Sequence, residues 1–424
     1  MLTEKINSPS APTNFSLPQY KTDCISNIPN TILQLLQTRK DNSPLTNRLK
    51  IDQKSINKVV LLVVDGFGFN QFLTHYKQNQ FLTTLTGAGE VFPLTSVYPS
   101  QTTNALTTLN TGLTPQEHGL FEYFIYLKGI GIVNALRFER VGTKTKSKLV
   151  AQGYDPKIML STQNIQQKLV KQGISTFTYM NESNASNVCT KLVFEGSTII
   201  PSYKTSDAIV KLRKQIQKTS GSAYFFVHLE TLDIIAHEYG PKSEEFNAEL
   251  QAITSLLQTE LVEKISSQSA KETLLLITAD HGEVQVNPHE TVYLGFNSES
   301  ILNAQVGSDH RRIMPTGSPR DLFLHIKEEK LQKTKEALKQ KIGKKALIIE
   351  TKEAIDSGLF GLEKPREGFL DRTGNLVILP YRNETLWFEH RSGRRINLIG
   401  QHGGLSEDEM LVPFAAAKIS DLKK

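Results

Sequence analysis

The sequence predicts an α/β sandwich in which helices flank a central, mostly parallel sheet and one subdomain is inserted. Three observations lead to this fold class. Four predominantly apolar runs have the length and the β-branched or aromatic content of buried strands. Helix-like segments separate these runs, and such alternation is typical of a doubly wound parallel sheet. The alternation is interrupted between about residues 300 and 375, which indicates an insertion.

The four strands are predicted at residues 58–64, 175–180, 223–229 and 273–280. The first, KVVLLVV, ends at the turn-forming pair Asp65-Gly66. Each of the other three follows a helix-like stretch, and the longest of these stretches covers residues 244–267. Because the runs are mostly apolar and do not alternate, both faces of each strand should be covered, as in a parallel sheet.

The chain has 424 residues, enough for one large domain with an insertion or for two domains. We predict four parts. These are an N-terminal extension packed on the core (1–50), a catalytic core (51–300), an inserted cap subdomain (301–375) and the C-terminal part of the core (376–424). The insertion contains a Lys-rich helix, which is more typical of a solvated face than of an anion-binding one.

Composition excludes several classes of protein. The hydrophobic fraction of 38% fits a globular protein, and no run approaches the ~18 apolar residues that a membrane span needs. The N-terminal residues lack the pattern of a secretory signal, so a cytoplasmic location is expected. The two cysteines, Cys24 and Cys189, do not form a metal-ligand cluster.

Residues of the metal-ligand type follow the predicted strands at 58–64, 223–229 and 273–280. In open α/β sheets, sites form beyond the carboxyl ends of the strands. Residues of this type also occur in a Gly-rich turn near the C-terminus. The six candidates are Asp65, Asp233, His237, Asp280, His281 and His402.

Three aspartates and three histidines combine hard oxygen ligands with imidazole nitrogens. This mixture suits Zn²⁺, with Mn²⁺ as the alternative. Six ligands are too many for one tetrahedral ion. They fit two ions roughly 4 Å apart, the arrangement found where one ion activates a nucleophile and the other holds an oxygen of the substrate.

The nucleophile is expected in the segment VYPSQTTNALTTLNTG, residues 97–112. An extended stretch leads into Ser100-Gln101-Thr102-Thr103, and a helix is predicted from about Asn104. The first turn of a helix directs free N–H groups at a bound phosphoryl group. A threonine hydroxyl there would need a metal ion to ionise it at neutral pH.

Taken together, the motifs resemble the nucleotide pyrophosphatase/phosphodiesterase family of the alkaline phosphatase superfamily. They occur in the family's order over about residues 58–300 and 376–413. The motifs are Asp65-Gly66, YPSQTTNALTTLNTG followed by PQEHG, Asp233-x3-His237 with Gly240-Pro241, Ala279-Asp280-His281-Gly282 and His402-Gly403-Gly404. The resemblance implies an alkaline phosphatase-like fold.

The resemblance also implies the roles of the residues. One zinc would be held by Asp233, His237 and His402. The other would be held by Asp65, Asp280 and His281 together with the Thr102 oxygen. Thr102 would attack phosphorus in line to form a phosphothreonine, and a water would then hydrolyse it. Thr102 is chosen over Thr103 because the family nucleophile lies ten residues before the glycine that is Gly112 here.

The sequence departs from the family pattern at one place. The family commonly has a phosphate-contacting asparagine a few residues after the HG pair, where this chain has Tyr123. A tyrosine hydroxyl can donate one hydrogen bond, so Tyr123 is a candidate substrate-binding residue. The Cys or Ser motif of sulfatases is absent from the nucleophile segment, which disfavours a sulfatase.

The predicted reaction is metal-dependent hydrolysis of a small-molecule phosphodiester or nucleotide pyrophosphate. A phosphomonoesterase is the alternative if Arg311, Arg312 or Arg320 supplies a cation to the phosphate. A phosphotransferase and a non-catalytic binding protein are further alternatives. Nucleic-acid binding is disfavoured because aromatic residues do not interleave with the basic ones. The sequence does not predict an oligomeric state.

Overall fold

The computed structural model of the protein describes residues 15–38, 43–51, 55–141, 148–389 and 395–423. Residues 1–14 and 39–42 of the predicted N-terminal extension lie outside these ranges. Within the described residues, every helix is too short or too polar to cross a lipid bilayer.

The strands fall into one large sheet and several small ones. In chain order they are β1 (Lys58–Val64), β2 (Glu90–Thr95), β3 (Phe124–Leu127), β4 (Gly131–Asn134), β5 (Glu139–Arg140), β6 (Ser175–Asn181), β7 (Thr198–Ser202), β8 (Ala223–Leu229), β9 (Thr273–Thr278), β10 (Val284–Gln285), β11 (Val292–Leu294), β12 (Thr316–Ser318), β13 (Asp321–Leu324), β14 (Ala346–Glu350), β15 (Leu376–Pro380), β16 (Leu386–Phe388), β17 (Gly400–Gln401) and β18 (Leu411–Lys418).

The α-helices alternate with many of these strands along the chain. They are α1 (Ile28–Leu35), α2 (Phe69–His75), α3 (Gln80–Ala88), α4 (Thr102–Thr111), α5 (Pro115–His118), α6 (Ile165–Val170), α7 (Glu182–Ala185), α8 (Val188–Val193), α9 (Thr205–Lys218), α10 (Thr231–Tyr239), α11 (Glu244–Leu256), α12 (Ser267–Glu272), α13 (Glu299–Leu302), α14 (Leu331–Ile342), α15 (Thr351–Asp356), α16 (Phe369–Thr373) and α17 (Glu407–Met410).

The large sheet has seven strands in the order β2-β18-β9-β1-β8-β6-β7. Its central strand, β1, pairs in parallel with β8 on one side and with β9 on the other. Strand β18 is antiparallel to both of its neighbours. The sheet is therefore mostly parallel and flanked by helices, and the predicted fold class is confirmed.

The hydrophobic pattern explains this arrangement. All seven residues of β1 and all seven of β8 are buried, as expected for strands covered on both faces. Helix α9 buries the apolar residues Ala208, Ile209, Leu212 and Ile216, which share one face at helical spacing, and exposes its lysines. The predicted helix over 244–267 is shorter than expected. Helix α11 ends at Leu256 and continues as a π-helical turn over Leu257–Val262.

A smaller sheet with the order β12-β13-β15-β14 lies in the second half of the chain. Some of its apolar residues, Leu322, Ile348 and Ile378 among them, form a cluster separate from the main core, whereas Phe323 and Val377 belong to the main core. Strand β15 belongs to this sheet, whereas the predicted division starts the last part of the core at residue 376. The division into an extension, core and cap stays a prediction.

Candidate active site

The carboxyl ends of three adjacent strands carry the predicted ligand residues to one edge of the sheet. Asp65 directly follows β1, and Asp280 and His281 follow β9. Asp233 and His237 lie on α10, which begins two residues after β8 ends. Because β9, β1 and β8 are parallel neighbours, these side chains converge.

His402 reaches the same edge from the C-terminal part of the chain. Strand β17, which precedes it, pairs antiparallel with β10 just after the Asp280-His281 segment. The His402 ring stacks on the His281 ring with centroids 3.6 Å apart. The structure thus brings together all six residues that the sequence singles out as metal ligands.

A glycine allows one of these approaches. Gly66 has φ of 74°, a left-handed conformation that glycine adopts without strain. A Cβ atom at Gly66 would lie 3.1 Å from the Cα atom of Asp233. The Asp65-Gly66 pair therefore turns the chain sharply and lets α10 pack against the end of β1.

The six residues, with one addition, form two groups. Asp65, Asp280 and His281 are all buried, and one ligand atom from each lies within 4.8 Å of the others. His281 Nε2 is 3.4 Å from Asp65 Oδ1 and 3.4 Å from Asp280 Oδ2. This first group could hold one metal ion.

The second group consists of Asp233, His237, His402 and Glu283. His237 Nε2 lies 3.5 Å from Asp233 Oδ1, and His402 Nε2 lies 3.7 Å from the same oxygen. Glu283 Oε1 lies 3.8 Å from His237 Nδ1. Sequence reasoning missed Glu283, although an acidic residue two positions after a candidate histidine ligand was a usable signal.

Hydrogen bonds to backbone carbonyls orient the histidine rings. The Nδ1 atoms of His237 and His402 donate to the carbonyl oxygens of Gly400 and Ser100, at 2.8 and 3.0 Å. His281 Nδ1 donates to the carbonyl of Gly282 at 3.1 Å. In a neutral ring this leaves a lone pair on Nε2, and metal-ligating histidines are usually held in this way.

The lone pairs of these rings face carboxylate oxygens that have no donor of their own. Asp65 Oδ1, Asp233 Oδ1, Asp280 Oδ2 and both oxygens of Glu283 are buried without a hydrogen-bond partner. Within the described ranges, the ion-pair partners of these carboxylates are histidines only. Acceptors facing acceptors are costly unless a cation lies between them. The donor set therefore fits two divalent metal ions.

The electrostatics of the site agree with this interpretation. Burial, together with the nearby carboxylates of Asp280 and Asp233, raises the pKa of Asp65 well above its ordinary value. Burial also raises the pKa of Glu283, and Asp233 adds to that shift. Burial and the neighbouring His281 lower the pKa of His402, so its ring is neutral and able to bind a metal.

Thr102 is the first residue of α4 and lies at the edge of the first group. Its hydroxyl is 3.1 Å from His281 Nε2. Gln101, the residue before it, is extended at φ −116° and ψ 140° and forms the N-cap of the helix. The hydroxyl of Thr102 is thus at a helix N-terminus and next to candidate metal ligands.

Thr102 lines a cavity of about 420 Å³, together with Asp233, His237 and His402. Tyr123 lines this cavity, at the position where the family commonly has an asparagine. One wall of the cavity is apolar and comes mainly from α4, α8, β6 and α10. Its members include Leu106, Leu136, Met180, Val193, Phe194 and Ile234.

The arginines considered for a phosphomonoesterase do not line the cavity. Arg311 and Arg312 are exposed. Arg320 is fully buried, and it donates from Nε to Glu409 Oε1 at 2.9 Å and from an Nη atom to Oε2 at 2.7 Å. His118 is a buried structural residue whose Nδ1 accepts from the N–H of Leu120.

His228, which the sequence analysis does not single out, also contacts the site. It is buried on β8, and its Nε2 atom lies 2.8 Å from Asp65 Oδ2. The cause is its position near the carboxyl end of β8, beside the end of β1, which Asp65 directly follows. His228 therefore helps to position a candidate metal ligand.

Comparisons with known proteins agree with the geometry. The family model described as Type I phosphodiesterase / nucleotide pyrophosphatase matches residues 59–405. Murine ectonucleotide pyrophosphatase / phosphodiesterase 5 is 18% identical with a TM-score of 0.60, over 85% of this chain and 88% of that one. An inactive variant of the murine protein is known in complex with AMP. Phosphonoacetate hydrolase from Sinorhizobium meliloti is 16% identical with a TM-score of 0.57, over 86% and 93% of the two chains. No curated protein matches this chain.

Proposed function

Because the chain belongs to the type I phosphodiesterase/nucleotide pyrophosphatase family and is therefore an enzyme that hydrolyses phosphoric esters, we propose that it cleaves a phosphodiester or nucleotide pyrophosphate through a phosphothreonine on Thr102. One observation carries this proposal. The Thr102 hydroxyl lies 3.1 Å from His281 Nε2 at the floor of the cavity and at the start of a ten-residue helix. A nucleophile there has both candidate metal ligands and free helix N–H groups beside it.

The proposed metal ligands divide between two ions. Asp65, Asp280 and His281 would hold one ion beside the Thr102 oxygen. The second group, Asp233, His237 and His402 with Glu283, would hold the other. When bound, two divalent ions would supply the positive charge that ionises a hydroxyl or a water and that stabilises the phosphoryl oxygens. The mixture of carboxylate and imidazole ligands suits Zn²⁺, with Mn²⁺ as the alternative.

The residues of the chain would orient the reaction. Thr102 would attack phosphorus in line and form a covalent bond to it while the leaving oxygen departs on the opposite side. The free N–H groups in the first turn of α4 would hold a phosphoryl oxygen. The Tyr123 hydroxyl would donate one further hydrogen bond to the phosphate. A water would then attack phosphorus, and Thr102 would recover its proton.

The charge of the cavity supports a diester in preference to a monoester. Among the described residues that line it there is no lysine or arginine, and Glu230 adds a negative charge. A monoester carries one more negative charge than a diester and needs an additional cation. Arg320, one of the three arginines considered, forms an ion pair with Glu409.

The apolar wall supports a substrate with a nucleobase or another flat apolar group beside the phosphate. Leu106, Val193 and Phe194 offer an apolar surface next to Thr102. The similar murine protein in complex with AMP binds a molecule of this kind. A nucleotide is therefore the substrate class that we propose first.

The experiment compares bis-p-nitrophenyl phosphate and p-nitrophenyl phosphate with the metal-loaded protein. We expect the diester to be turned over faster, and Thr102→Ala to abolish turnover while the bound metal is retained. Thr103→Ala is the matched control, because it removes the hydroxyl of the neighbouring threonine. It should keep most of the activity. Faster turnover of the monoester would refute the diester proposal, and equal loss in both threonine variants would refute the assignment of the nucleophile.

A further inference from the structure

A second pair of buried acids lies outside the candidate metal groups. Glu122 is 1% exposed and follows the His118-Gly119 turn, and Asp321 is fully buried at the start of β13. Each carboxyl group is among the groups that shift the pKa of the other, so the two lie next to each other. The two residues are far apart in the chain, and they join the core to the small sheet.

Each carboxyl group has one satisfied oxygen and one free oxygen. Glu122 Oε2 accepts from the N–H of Tyr123 at 2.8 Å. Asp321 Oδ1 accepts from the N–H of Ser318 at 3.2 Å, from the Ser318 hydroxyl, and from the side-chain amide of Gln101 at 3.4 Å. Glu122 Oε1 and Asp321 Oδ2 are buried and receive no bond from an N–H or hydroxyl donor among the described residues.

Two facing carboxyl groups can be hydrogen-bonded only if one of them keeps a proton. Two buried carboxylates at hydrogen-bond distance cannot both be ionised without a cation, as in the paired carboxylates of acid-base sites. Asp321 accepts several donors, which favours its charged form. Glu122 is therefore the partner that keeps the proton. The Tyr98 hydroxyl lies within electrostatic range of both this pair and the Arg320–Glu409 ion pair.

The pair contacts residues on both sides of the proposed nucleophile. Gln101, which precedes Thr102, donates to Asp321 and also lies 3.4 Å from the carbonyl of His402. Tyr123, which follows Glu122, lines the cavity. We propose that Glu122 and Asp321 share one proton and that this pair positions Gln101 and Tyr123 around Thr102.

Burial raises the pKa of Glu122 well above its ordinary value, and it raises that of Asp321 to about 7. The folded pair therefore binds more protons than the unfolded chain at neutral pH. Folding stability from the pair should be full at low pH and should fall as the pH rises through the folded pKa values.

The role in positioning rests on the proposed function, whereas the shared proton does not. We would measure denaturation midpoints of the metal-free protein between about pH 6 and pH 9 for wild type and Glu122→Gln. A glutamine amide can donate to Asp321 without an acid proton. We expect Glu122→Gln to lose the part of the pH slope that belongs to the pair. The clustered acids and buried histidines elsewhere are the same in both proteins.

Kinetics with the diester test the positioning. Glu122→Gln should keep kcat within about threefold, and Glu122→Leu, which removes both the donor and the acceptor, should lower kcat at least tenfold with little change in KM. Equal kcat values in the two variants would refute positioning.

An identical pH slope in wild type and Glu122→Gln would refute the shared proton. Elemental analysis that finds one more equivalent of tightly bound metal in wild type than in Glu122→Gln would also refute the shared proton, because a cation would then join the two carboxylates. If wild type turns over neither ester, the proposed function fails, and the denaturation data still test the shared proton.

Discussion

Replacing Asp280 with asparagine should stabilise the metal-free protein and destabilise the metal-loaded one. Asp280 is fully buried, and its Oδ1 atom accepts from the N–H groups of Gly66 and His281, at 3.3 and 3.0 Å. An asparagine keeps these two bonds. It replaces the free Oδ2, which lies 3.4 Å from His281 Nε2, with an amide that can donate to that nitrogen.

The magnitude follows from the distance between the charges. The ligand oxygens of Asp65 and Asp280 lie within 4.8 Å of each other. Two unit charges at that distance repel by about 3.5 kcal/mol at an effective dielectric constant near 20. The metal-free protein relieves part of this repulsion by protonating Asp65, whose pKa is raised. We therefore expect Asp280→Asn to gain about 1–3 kcal/mol of unfolding free energy near pH 8 in EDTA.

Urea denaturation of both proteins, with EDTA and with Zn²⁺, is the assay. Wild type should gain stability from the metal, by about 4 kcal/mol when the free ion is at 1,000 times its dissociation constant. Asp280→Asn should gain much less, so the order of stability of the two proteins inverts between the two conditions. A variant that is less stable than wild type in EDTA, or that gains equally from Zn²⁺, would contradict a metal site at Asp280.

Three further predictions concern residues around the site. Burial, and to a smaller extent nearby arginines, lower the pKa of His118 to about 3. The metal-free protein should therefore lose about 1 kcal/mol of stability per pH unit as the pH falls from about 6.5 towards 3. His118→Gln should reduce this slope, whereas His310→Gln, at an exposed position, should not. Gly66→Ala, at φ of 74° and with its Cβ against α10, should cost about 1–3 kcal/mol and weaken metal binding by titration calorimetry. Arg320→Met should cost about 3–5 kcal/mol in denaturation because it leaves Glu409 buried and unpaired, and KM for the diester should be unchanged if Arg320 does not contact substrate.

The regular part of the fold could be predicted from local pattern. Strands β1 and β8 have the predicted bounds because each is a predominantly apolar run. The predicted strand over 273–280 ends earlier, at Thr278, because the chain leaves the sheet to place Asp280 at its edge. The convergence of the six candidate ligands also follows from local pattern, since parallel strands bring their carboxyl ends together.

Other features depend on packing that sequence patterns do not contain. Glu283 joins the second group because β10 pairs with β17, a contact between distant segments. The pairing of Glu122 with Asp321 depends on how the small sheet packs against the nucleophile segment. The partner of Arg320 could not be predicted from the sequence either. Its charge suggested a phosphate contact, whereas the structure buries it against Glu409.

The most direct test of the account is to look for the covalent intermediate. Metal-loaded protein would be mixed with bis-p-nitrophenyl phosphate, quenched with acid within one turnover, digested and analysed by mass spectrometry. Attack by Thr102 releases one p-nitrophenolate, so we expect a p-nitrophenylphosphoryl adduct on the peptide that contains Thr102, and none in Thr102→Ala. Rapid turnover without an adduct, together with activity that survives in Thr102→Ala, would mean that water attacks the ester directly and would contradict the central claim.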